Sequence, residues 1–469
     1  TYAKGASVLK QLVYYVGREK FFQGINQYLN KYAYSNATLA DLLHELEKAS
    51  GRDLKAWSAK WLEESGINTI ATEVEENADG TIASLTLNQT APAEHPVLRP
   101  HRLAVGFYDE DPATGKIVRT DRFELDVDGE STVVAAAAGK KRPAFILVND
   151  DDLTYTKLRF DADSLSFALA NLQRFDDALA RAVVWLSLWD MTRDGDLAAE
   201  KFIDTTLALL ATETESTTFR YALSCMSTTA WHYTAPDRRA DVVKHVAKEL
   251  WKLVIAAPGG SDQQFQLVTA YLGYGEEGDA EFAEHAQGLF DGSLIVAGLE
   301  IDNNFTWTII NALSSVKLID QAGIDAQLAK RDTTENREFA LGAHAVRGDA
   351  AAKEWAWNEA LNNADLTNMQ LEAVARGFGA TPRPDLAEPY AAKYYDVVDW
   401  VWKNKSFHMA EALLEGLYPY YADPATLVEL GHRWLADHED ADNALKRIVR
   451  GNVESSQRTL KVRDFNAAL

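Results

Sequence analysis

The spacing of hydrophobic residues changes twice along this chain. Apolar residues recur at three- and four-residue steps up to Gly66, alternate with polar residues from Ile67 to about residue 158, and return to helical steps from Asp163 onward. A period near 3.6 residues predicts amphipathic helices, and a period of two predicts half-buried strands. The chain is therefore predicted to be a multidomain α+β protein with a helical segment, a sheet segment and a long helical segment.

The first helical segment begins with a predicted amphipathic helix over residues 1–16. Its apolar stripe consists of Ala6, Leu9, Leu12, Val13 and Val16. Further on, Thr38 and Asp41 have the spacing of a capping box, in which each side chain binds the backbone N–H of the other residue. Ser50-Gly51 ends that helix, and Asp53 is placed to cap the next one.

Short alternating runs follow between Ile67 and residue 158. They cover residues 71–75, 82–87, 103–108, 123–127, 131–134 and 144–148. Turn signals rich in glycine, proline and aspartate separate them, which predicts an antiparallel β-sandwich. From residue 163 to 469, amphipathic segments alternate with short glycine or proline breaks, a pattern typical of stacked helix pairs in HEAT- or armadillo-like solenoids.

Composition excludes several classes of partner. The chain has 469 residues and a net charge of −23, which argues against binding to nucleic acid or to anionic membranes. The sequence has no apolar run of the ~18 residues that a bilayer-spanning helix needs. Its one cysteine, Cys225, lies in an apolar helical context, so we expect a buried thiol that is not a nucleophile. The scarcity of cysteine favours a reducing compartment, and we predict a cytoplasmic protein.

Two places attract attention as possible metal sites, and neither has a full ligand set. His44-Glu45 begins like a zinc-binding His-Glu-x-x-His helix, but Lys48 occupies the second histidine position. No other pair among the ten histidines has that spacing, so an exposed helix face is the better interpretation. His95 and His101 lie in a proline-spaced stretch that predicts a loop without a metal. We therefore expect this chain to bind no metal.

The order of several short motifs resembles one enzyme family. Tyr2-Ala-Lys-Gly-Ala6 before an apolar helix, the tryptophans of residues 51–62, Pro143 followed by Asn149-Asp150, and the helical stretch of residues 181–195 occur in sequence. Together they resemble the aminopeptidase N family of zinc metallopeptidases, in its bacterial form with a long helical C-terminal domain. The family pattern Ile-Asp-x-x-Leu-Arg-Trp is here Ile301-Asp-Asn-Asn-Phe-Thr-Trp307, so Thr306 replaces an arginine.

The resemblance implies a fold and a role for each segment of the chain. Residues 1–66 would be the helical end of a thermolysin-like catalytic domain, residues 67–158 a β-sandwich, and residues 159–469 a HEAT/armadillo-like superhelical domain that encloses the substrate cavity. Tyr2 would be the catalytic residue, whose phenol donates a hydrogen bond to the oxyanion of the tetrahedral intermediate. The small residues Gly5 and Ala6, one turn further on, would let the helix approach its neighbours closely and so hold the phenol in place. The zinc ligands would lie upstream, in a missing N-terminal portion of the same protein.

The resemblance also implies the partners and the activity. The intact protein would remove N-terminal residues from peptides, while this fragment, which begins inside a helix, would be inactive alone and would bind no zinc. An alternative from another class is a non-enzymatic scaffold, in which a β-sandwich and an α-solenoid bind peptides or proteins. A His-Glu-x-x-His upstream of Thr1 would distinguish the two hypotheses.

Overall fold

The computed structural model describes residues 2–469, with the backbone alone at position 3. It divides the chain into two compact units, of which the first ends at Met191 and the second covers Thr192–Leu469. No described helix combines the length and the apolar character that are required to cross a bilayer. The fold is a mixture of helices and small sheets, and the second unit is helical throughout its described elements, which confirms the predicted fold class at that level.

Helices precede the sheets in the first unit. They are α1 (Tyr2–Val16), α2 (Arg18–Lys31), α3 (Leu39–Ser50) and α4 (Leu54–Ser58), which continues as a π-helical turn over Ala59–Glu63. The capping box of Thr38 and Asp41 is present at the start of α3, and Gly51 ends this helix with a φ of 75°. Asp53 accepts the N–H of Ala56 at the start of α4, as predicted.

The buried face of α1 differs from the predicted stripe. Val8, Leu12 and Val16 are buried and pack against Leu46 and Trp57 of the following helices. These positions are four residues apart, so they lie along one side of the helix. Leu9, which was predicted to belong to the stripe, exposes 56% of its surface. The prediction shifted the apolar face because alanine, leucine and valine occur all around this helix.

Seven strands form two sheets. The strands are β1 (Thr69–Glu76), β2 (Ile82–Thr90), β3 (His101–Glu110), β4 (Ile117–Val127), β5 (Ser131–Val133), β6 (Phe145–Val148) and β7 (Lys157–Arg159). One sheet has the order β5-β2-β1-β7 and the other β4-β3-β6. All pairings are antiparallel except that of β1 with β7, which is parallel over three residues.

This parallel pair corrects the purely antiparallel sheet expected from the sequence. Because β7 returns to β1 after five intervening strands, a long crossover sets its direction, and no hairpin turn does. A second correction concerns His101, which was assigned to a loop and is the first residue of β3. The domain boundaries predicted at residues 66 and 158 remain a prediction.

Helices continue from the end of the sheets to the end of the chain. They are α5 (Ala162–Asn171), α6 (Ala178–Asp194), α7 (Ala199–Leu210), α8 (Ser216–Thr228), α9 (Arg239–Ala256), α10 (Asp262–Tyr271), α11 (Ala280–Asp291), α12 (Asn303–Ser315), α13 (Gln321–Lys330), α14 (Thr334–Ala345), α15 (Ala350–Asn362), α16 (Asn368–Gly379), α17 (Pro384–Ala387), α18 (Ala391–Asn404), α19 (Phe407–Gly416), α20 (Pro424–Asp437) and α21 (Asn443–Ala467).

Close contacts join four helices of the second unit in a row. Helices α12, α14, α16 and α19 pack in that order, each against the next. Gly377 of α16 lies so close to α14 that a Cβ at this position would come within 2.6 Å of the carbonyl oxygen of Gly342. The approach of the two backbones therefore requires glycine at this position, and a larger side chain would push the helices apart.

Candidate active site

The predicted catalytic residue, Tyr2, lies at the N-terminal end of α1. Its side chain exposes 97% of its surface, and no hydrogen bond to its hydroxyl occurs within the described part of the chain. The hydroxyl is therefore free to donate to a bound molecule. The phenol is carried by a regular helix, so its position depends on what fixes that helix.

The small residues Gly5 and Ala6 make no close contact with another element in the described part of the chain. Gly5 and Ala6 were expected to let the helix approach its neighbours closely. Both residues are exposed, and a Cβ placed on Gly5 would meet no atom within 4 Å. Within the described part of the chain the buried face of α1 begins only at Val8, so no element described here approaches Gly5 closely and the expectation stays a prediction.

Two polar side chains join α1 to the turn between β6 and β7. Gln11 is 1% exposed, and its Oε1 accepts hydrogen bonds from Thr154 Oγ1 at 2.8 Å and from the backbone N–H of Tyr155 at 2.9 Å. Lys10 donates to Asp152 at 2.8 Å in a half-exposed ion pair. The hydrogen bonds to the buried Gln11 are directional, so they constrain the rotation of the helix as well as its distance from the sheet. The half-exposed ion pair of Lys10 contributes little.

Asn149 of the predicted Asn-Asp motif builds this turn. Its Oδ1 accepts the N–H groups of Leu153 and Thr154, both at 2.9 Å, and its Nδ2 donates to the carbonyl of Thr154. The next motif residue, Asp150, is buried and accepts a hydrogen bond from Tyr108 of β3 at 2.6 Å. The motif that carried part of the family resemblance therefore shapes the segment to which α1 is attached.

A buried histidine continues the polar contact into the sheet. His101 is fully buried, with its Nδ1 at 2.7 Å from Thr154 Oγ1 and its Nε2 at 2.9 Å from Gln89 Oε1. Burial, and to a smaller degree the positive charge of Arg99, lowers the pKa of His101 to about 3. The imidazole is therefore neutral at physiological pH, and it acts here as a hydrogen-bonding spacer between β3 and the turn.

Arg99 secures the end of the helical segment from the other side. Its guanidinium is buried and donates to the backbone carbonyls of Lys60 at 2.9 Å, Glu64 at 3.1 Å and Ser65 at 2.7 Å. It also lies 5.4 Å from the ring centre of Trp61. Carbonyls at the end of a helix lack intrahelical donors, so an arginine there supplies the missing hydrogen bonds.

The half-motif His44-Glu45 has a structural role that differs from the predicted one. His44 and Lys48 are exposed, but Glu45 is 3% exposed and accepts hydrogen bonds from Lys31 at 2.7 Å and Lys48 at 3.3 Å. The hydrogen bond from Lys31 is the main cause that holds the pKa of Glu45 below its usual value. The interpretation as an exposed face is therefore wrong for Glu45, which joins α2 to α3.

The described residues do not fit a zinc ion. No group of three or more histidine, cysteine, aspartate or glutamate side chains in the described part of the chain could hold a metal.

Cys225 is buried, as predicted. Thr306, where the family pattern has arginine, donates its hydroxyl to the carbonyl of Asp302 at 2.7 Å.

An acidic cavity lies between α16 and α19 of the second unit. It has a volume of about 550 Å³ and is lined by Glu372, Glu411, Glu415, His408 and Arg376, among others. Glu372 lies 3.0 Å from His408. Burial, and to a smaller degree the neighbouring charge of Glu411, raises the pKa of Glu415. No sequence pattern predicted this cavity, apart from the overall negative charge.

Comparison with known proteins places the chain in a family. The ERAP1-like C-terminal domain family matches residues 145–458, and the peptidase family M1 domain matches residues 1–61. Aminopeptidase N of Streptomyces lividans is 38% identical over 474 residues, which cover 100% of this chain and 55% of that protein. Aminopeptidase 2, mitochondrial, of Saccharomyces cerevisiae is 31% identical over 180 residues, 35% of this chain and 17% of that protein.

A shorter match extends the comparison to an archaeal protein. Probable aminopeptidase 1 of Sulfurisphaera tokodaii is 40% identical over 75 residues, which are 16% of this chain and 10% of that protein. The chain spans about half the length of its Streptomyces relative and a smaller part of the others. The first family matches well over half of the chain, and the second matches the segment that contains Tyr2. The chain belongs to the M1 aminopeptidase family and represents its C-terminal portion.

Proposed function

We propose that this chain forms part of a zinc-dependent aminopeptidase that removes N-terminal residues from peptides, with Tyr2 as a catalytic residue. The observation that carries the proposal is the position of Tyr2 inside the segment that matches the peptidase family M1 domain. Its exposure on a helix that is fixed by buried contacts supports the same role. Relatives that bear the name aminopeptidase support the reaction class.

The chemistry of the phenol suits the proposed step. Attack on a peptide carbonyl develops a negative charge on its oxygen, and a phenol with a pKa near ~10 remains protonated at neutral pH. It can therefore donate a hydrogen bond to the oxyanion throughout the reaction. Removal of one such donor typically lowers turnover by ~10²–10³-fold. The zinc ion of the family would be held by residues outside this chain, which alone should be inactive.

We further propose that the second unit forms a wall of the peptide cavity. Its helices α12, α14, α16 and α19 pack in a row, which is compatible with a HEAT-like superhelix. The acidic cavity beside α19 would face peptides. Residues 1–66 would complete a thermolysin-like catalytic domain. A cytoplasmic location, favoured by the single cysteine, belongs to the same proposal.

Substitution of Tyr2 tests the catalytic role. Tyr2→Phe in the full-length enzyme removes only the hydroxyl, and the exposure of the ring means that folding should not change. We expect kcat and kcat/KM to fall together by ~100-fold or more, which is ~3 kcal/mol of transition-state stabilisation. Steady-state hydrolysis of an aminoacyl substrate measures both constants.

Tyr14→Phe is the matched control, because Tyr14 lies on the same helix and its loss of a hydroxyl should leave turnover near the wild-type value. More than half of the wild-type turnover in Tyr2→Phe would refute the catalytic role. If the full-length protein instead bound peptides without cleaving them, the scaffold hypothesis would replace the enzyme.

A further inference from the structure

The side chain of Gln11 is an unfavourable choice for stability at its position. It is 1% exposed, and its Nε2 group has no hydrogen-bond partner among the described residues. A buried N–H group without an acceptor is destabilising, whereas an apolar side chain of the same length would avoid this. The stabilising contacts of Gln11 are therefore confined to its Oε1, and its Nε2 group is unfavourable at this position.

A second unfavourable feature lies in the same set of contacts. Gln89 Nε2 donates to the carbonyl of Gly129 at 2.8 Å, so its Oε1 needs a proton from His101 Nε2. A neutral ring then has only a lone pair at Nδ1. The single proton of Thr154 Oγ1 is thus required both by Nδ1 and by Gln11 Oε1.

Reversal of the Gln11 amide would not resolve this shortage. Its Nε2 group would then donate to Thr154, but it would also face the backbone N–H of Tyr155, which is 2.9 Å away. Two donors would oppose each other there. Every neutral arrangement therefore leaves one contact unsatisfied, and local unfavourable features of this kind concentrate at functional positions.

We propose that Gln11, held by Thr154 and Tyr155, is a positioning residue that fixes the rotation and register of α1 and thereby the position of the Tyr2 hydroxyl. This inference rests on the proposed function of Tyr2. The apolar contacts of Val8, Leu12 and Val16 are non-directional, so they set which side of α1 is buried but define its exact rotation less closely than hydrogen bonds do. The two hydrogen bonds to Gln11 supply that direction.

The geometry of the helix shows why rotation matters. Tyr2 precedes Gln11 by nine residues, which is two and a half turns, so the two side chains lie on opposite sides of α1. A rotation of ~10° moves a group at the ~6 Å outer radius of a helix by ~1 Å. Catalytic groups tolerate only ~0.5 Å. Loss of the hydrogen bonds to Gln11 on one side of α1 would therefore misplace the hydroxyl of Tyr2 on the opposite side.

Gln11→Met in the full-length enzyme tests the inference. Methionine has nearly the same length and removes the unpaired Nε2 group, but it also leaves the N–H of Tyr155 without its acceptor. We therefore expect a small fall in the midpoint of urea unfolding, and kcat is compared under conditions in which both proteins remain folded. We expect kcat to fall by ~10-fold or more through misplacement, with KM little changed. In the Tyr2→Phe background, Gln11→Met should cause no further loss, because the group that it positions is already absent.

Two controls make the result specific. Lys10→Met removes a half-exposed contact between the same helix and the same turn, and it should leave kcat unchanged. Thr154→Val should reproduce the loss of Gln11→Met, whereas Thr154→Ser, which keeps the hydroxyl, should restore kcat. This pair tests the inference even if the methionine variant fails to fold.

The outcomes separate the two proposals. An equal loss of kcat from Gln11→Met in the wild-type and Tyr2→Phe backgrounds would refute positioning of Tyr2 and leave the proposed function intact. A Tyr2→Phe enzyme with wild-type turnover would remove the proposed function and this inference with it. Wild-type kcat in both Gln11→Met and Thr154→Val would overturn the inference alone.

Discussion

Two buried cations bind backbone carbonyls through different chemical groups. Arg99 in the first unit uses a guanidinium, and Lys353 in the second unit uses an ammonium. Each is at most 2% exposed, and each binds backbone carbonyls near helix ends. No salt bridge to a carboxylate is formed by either of them within the described part of the chain. A buried cation without a counterion is tolerated when hydrogen bonds satisfy its donors, and helix C-termini offer unpaired carbonyls.

The partners of Lys353 join two neighbouring helices. Its Nζ donates to the carbonyl of Ala345 at 2.7 Å at the end of α14, and to those of Gly377 at 3.2 Å and Phe378 at 3.1 Å in α16. It also donates to the hydroxyl of Thr381. The negative ends of both helix dipoles therefore meet at one ammonium group.

The difference between the two cations is their response to pH. Burial lowers the pKa of Arg99, but arginine begins above ~12 and stays charged in proteins. Burial lowers the pKa of Lys353 to about 7, so this ammonium can lose its proton in the physiological range. The end of α4 is thus stabilised independently of pH, whereas the packing of α14 on α16 depends on it.

The largest expected effect follows from the loss of Arg99. Arg99→Met would remove the donors of three part-buried hydrogen bonds, to the carbonyls of Lys60, Glu64 and Ser65, and would leave a space in place of the buried guanidinium. We expect a loss on the order of 3–5 kcal/mol in the free energy of unfolding. Arg99→Lys keeps the charge but has fewer donors, so its loss should be smaller. Urea unfolding measures both, and the loss should be the same at pH 6 and pH 9. A loss below ~1 kcal/mol would mean that water replaces the guanidinium.

A pH-dependent loss should follow from Lys353→Met. Because the folded pKa is about 7 and the unfolded pKa is ~10.4, the unfolded chain binds more protons at this site between these values. Wild-type stability therefore rises with pH in that window, by up to ~1.4 kcal/mol per pH unit. The methionine variant lacks this rise, so its deficit should grow from pH 7 to pH 10 in urea unfolding. A deficit that stays constant would show that the four acceptors keep Lys353 charged.

The sequence predicts those parts of the fold that depend on local patterns. The capping box of Thr38 and Asp41 and the order of helices, strands and helices follow from residue spacing and are confirmed. Neither buried cation was predicted, because lysine and arginine are usually exposed and their partners here are backbone carbonyls. Every residue has a backbone carbonyl, so no sequence pattern identifies the carbonyls that bind these two cations.

The candidate site shows the same limit. Tyr2 was found through a motif, and its role stays a prediction. Gln11 was missed because its partners, Thr154 and Tyr155, are more than a hundred residues away and have common side chains. Only the fold brings them together, and the unpaired Nε2 group becomes visible only when burial is known.

The smallest expected effect concerns Thr381, whose hydroxyl oxygen is the fourth acceptor around Lys353 Nζ. Thr381 is buried, accepts a hydrogen bond from Nζ and donates its own proton to the carbonyl of Val346 at 2.7 Å. Thr381→Val keeps the shape but removes both bonds, and we expect a loss of ~1–2 kcal/mol in the free energy of unfolding. Thr381→Ser should be nearly neutral, which makes it the matched control.

The pH dependence of this small loss distinguishes its cause. The hydroxyl oxygen favours the charged ammonium, so without it the pKa of Lys353 should fall further and the neutral amine should be reached at lower pH. The loss from Thr381→Val should therefore be greatest near pH 6, where Lys353 is still charged, and should shrink towards pH 9. A loss that is equal at both pH values would arise from the bond to Val346 alone. In that case the three carbonyls around Nζ would be the acceptors that stabilise the charge of Lys353, as backbone carbonyls do for Arg99.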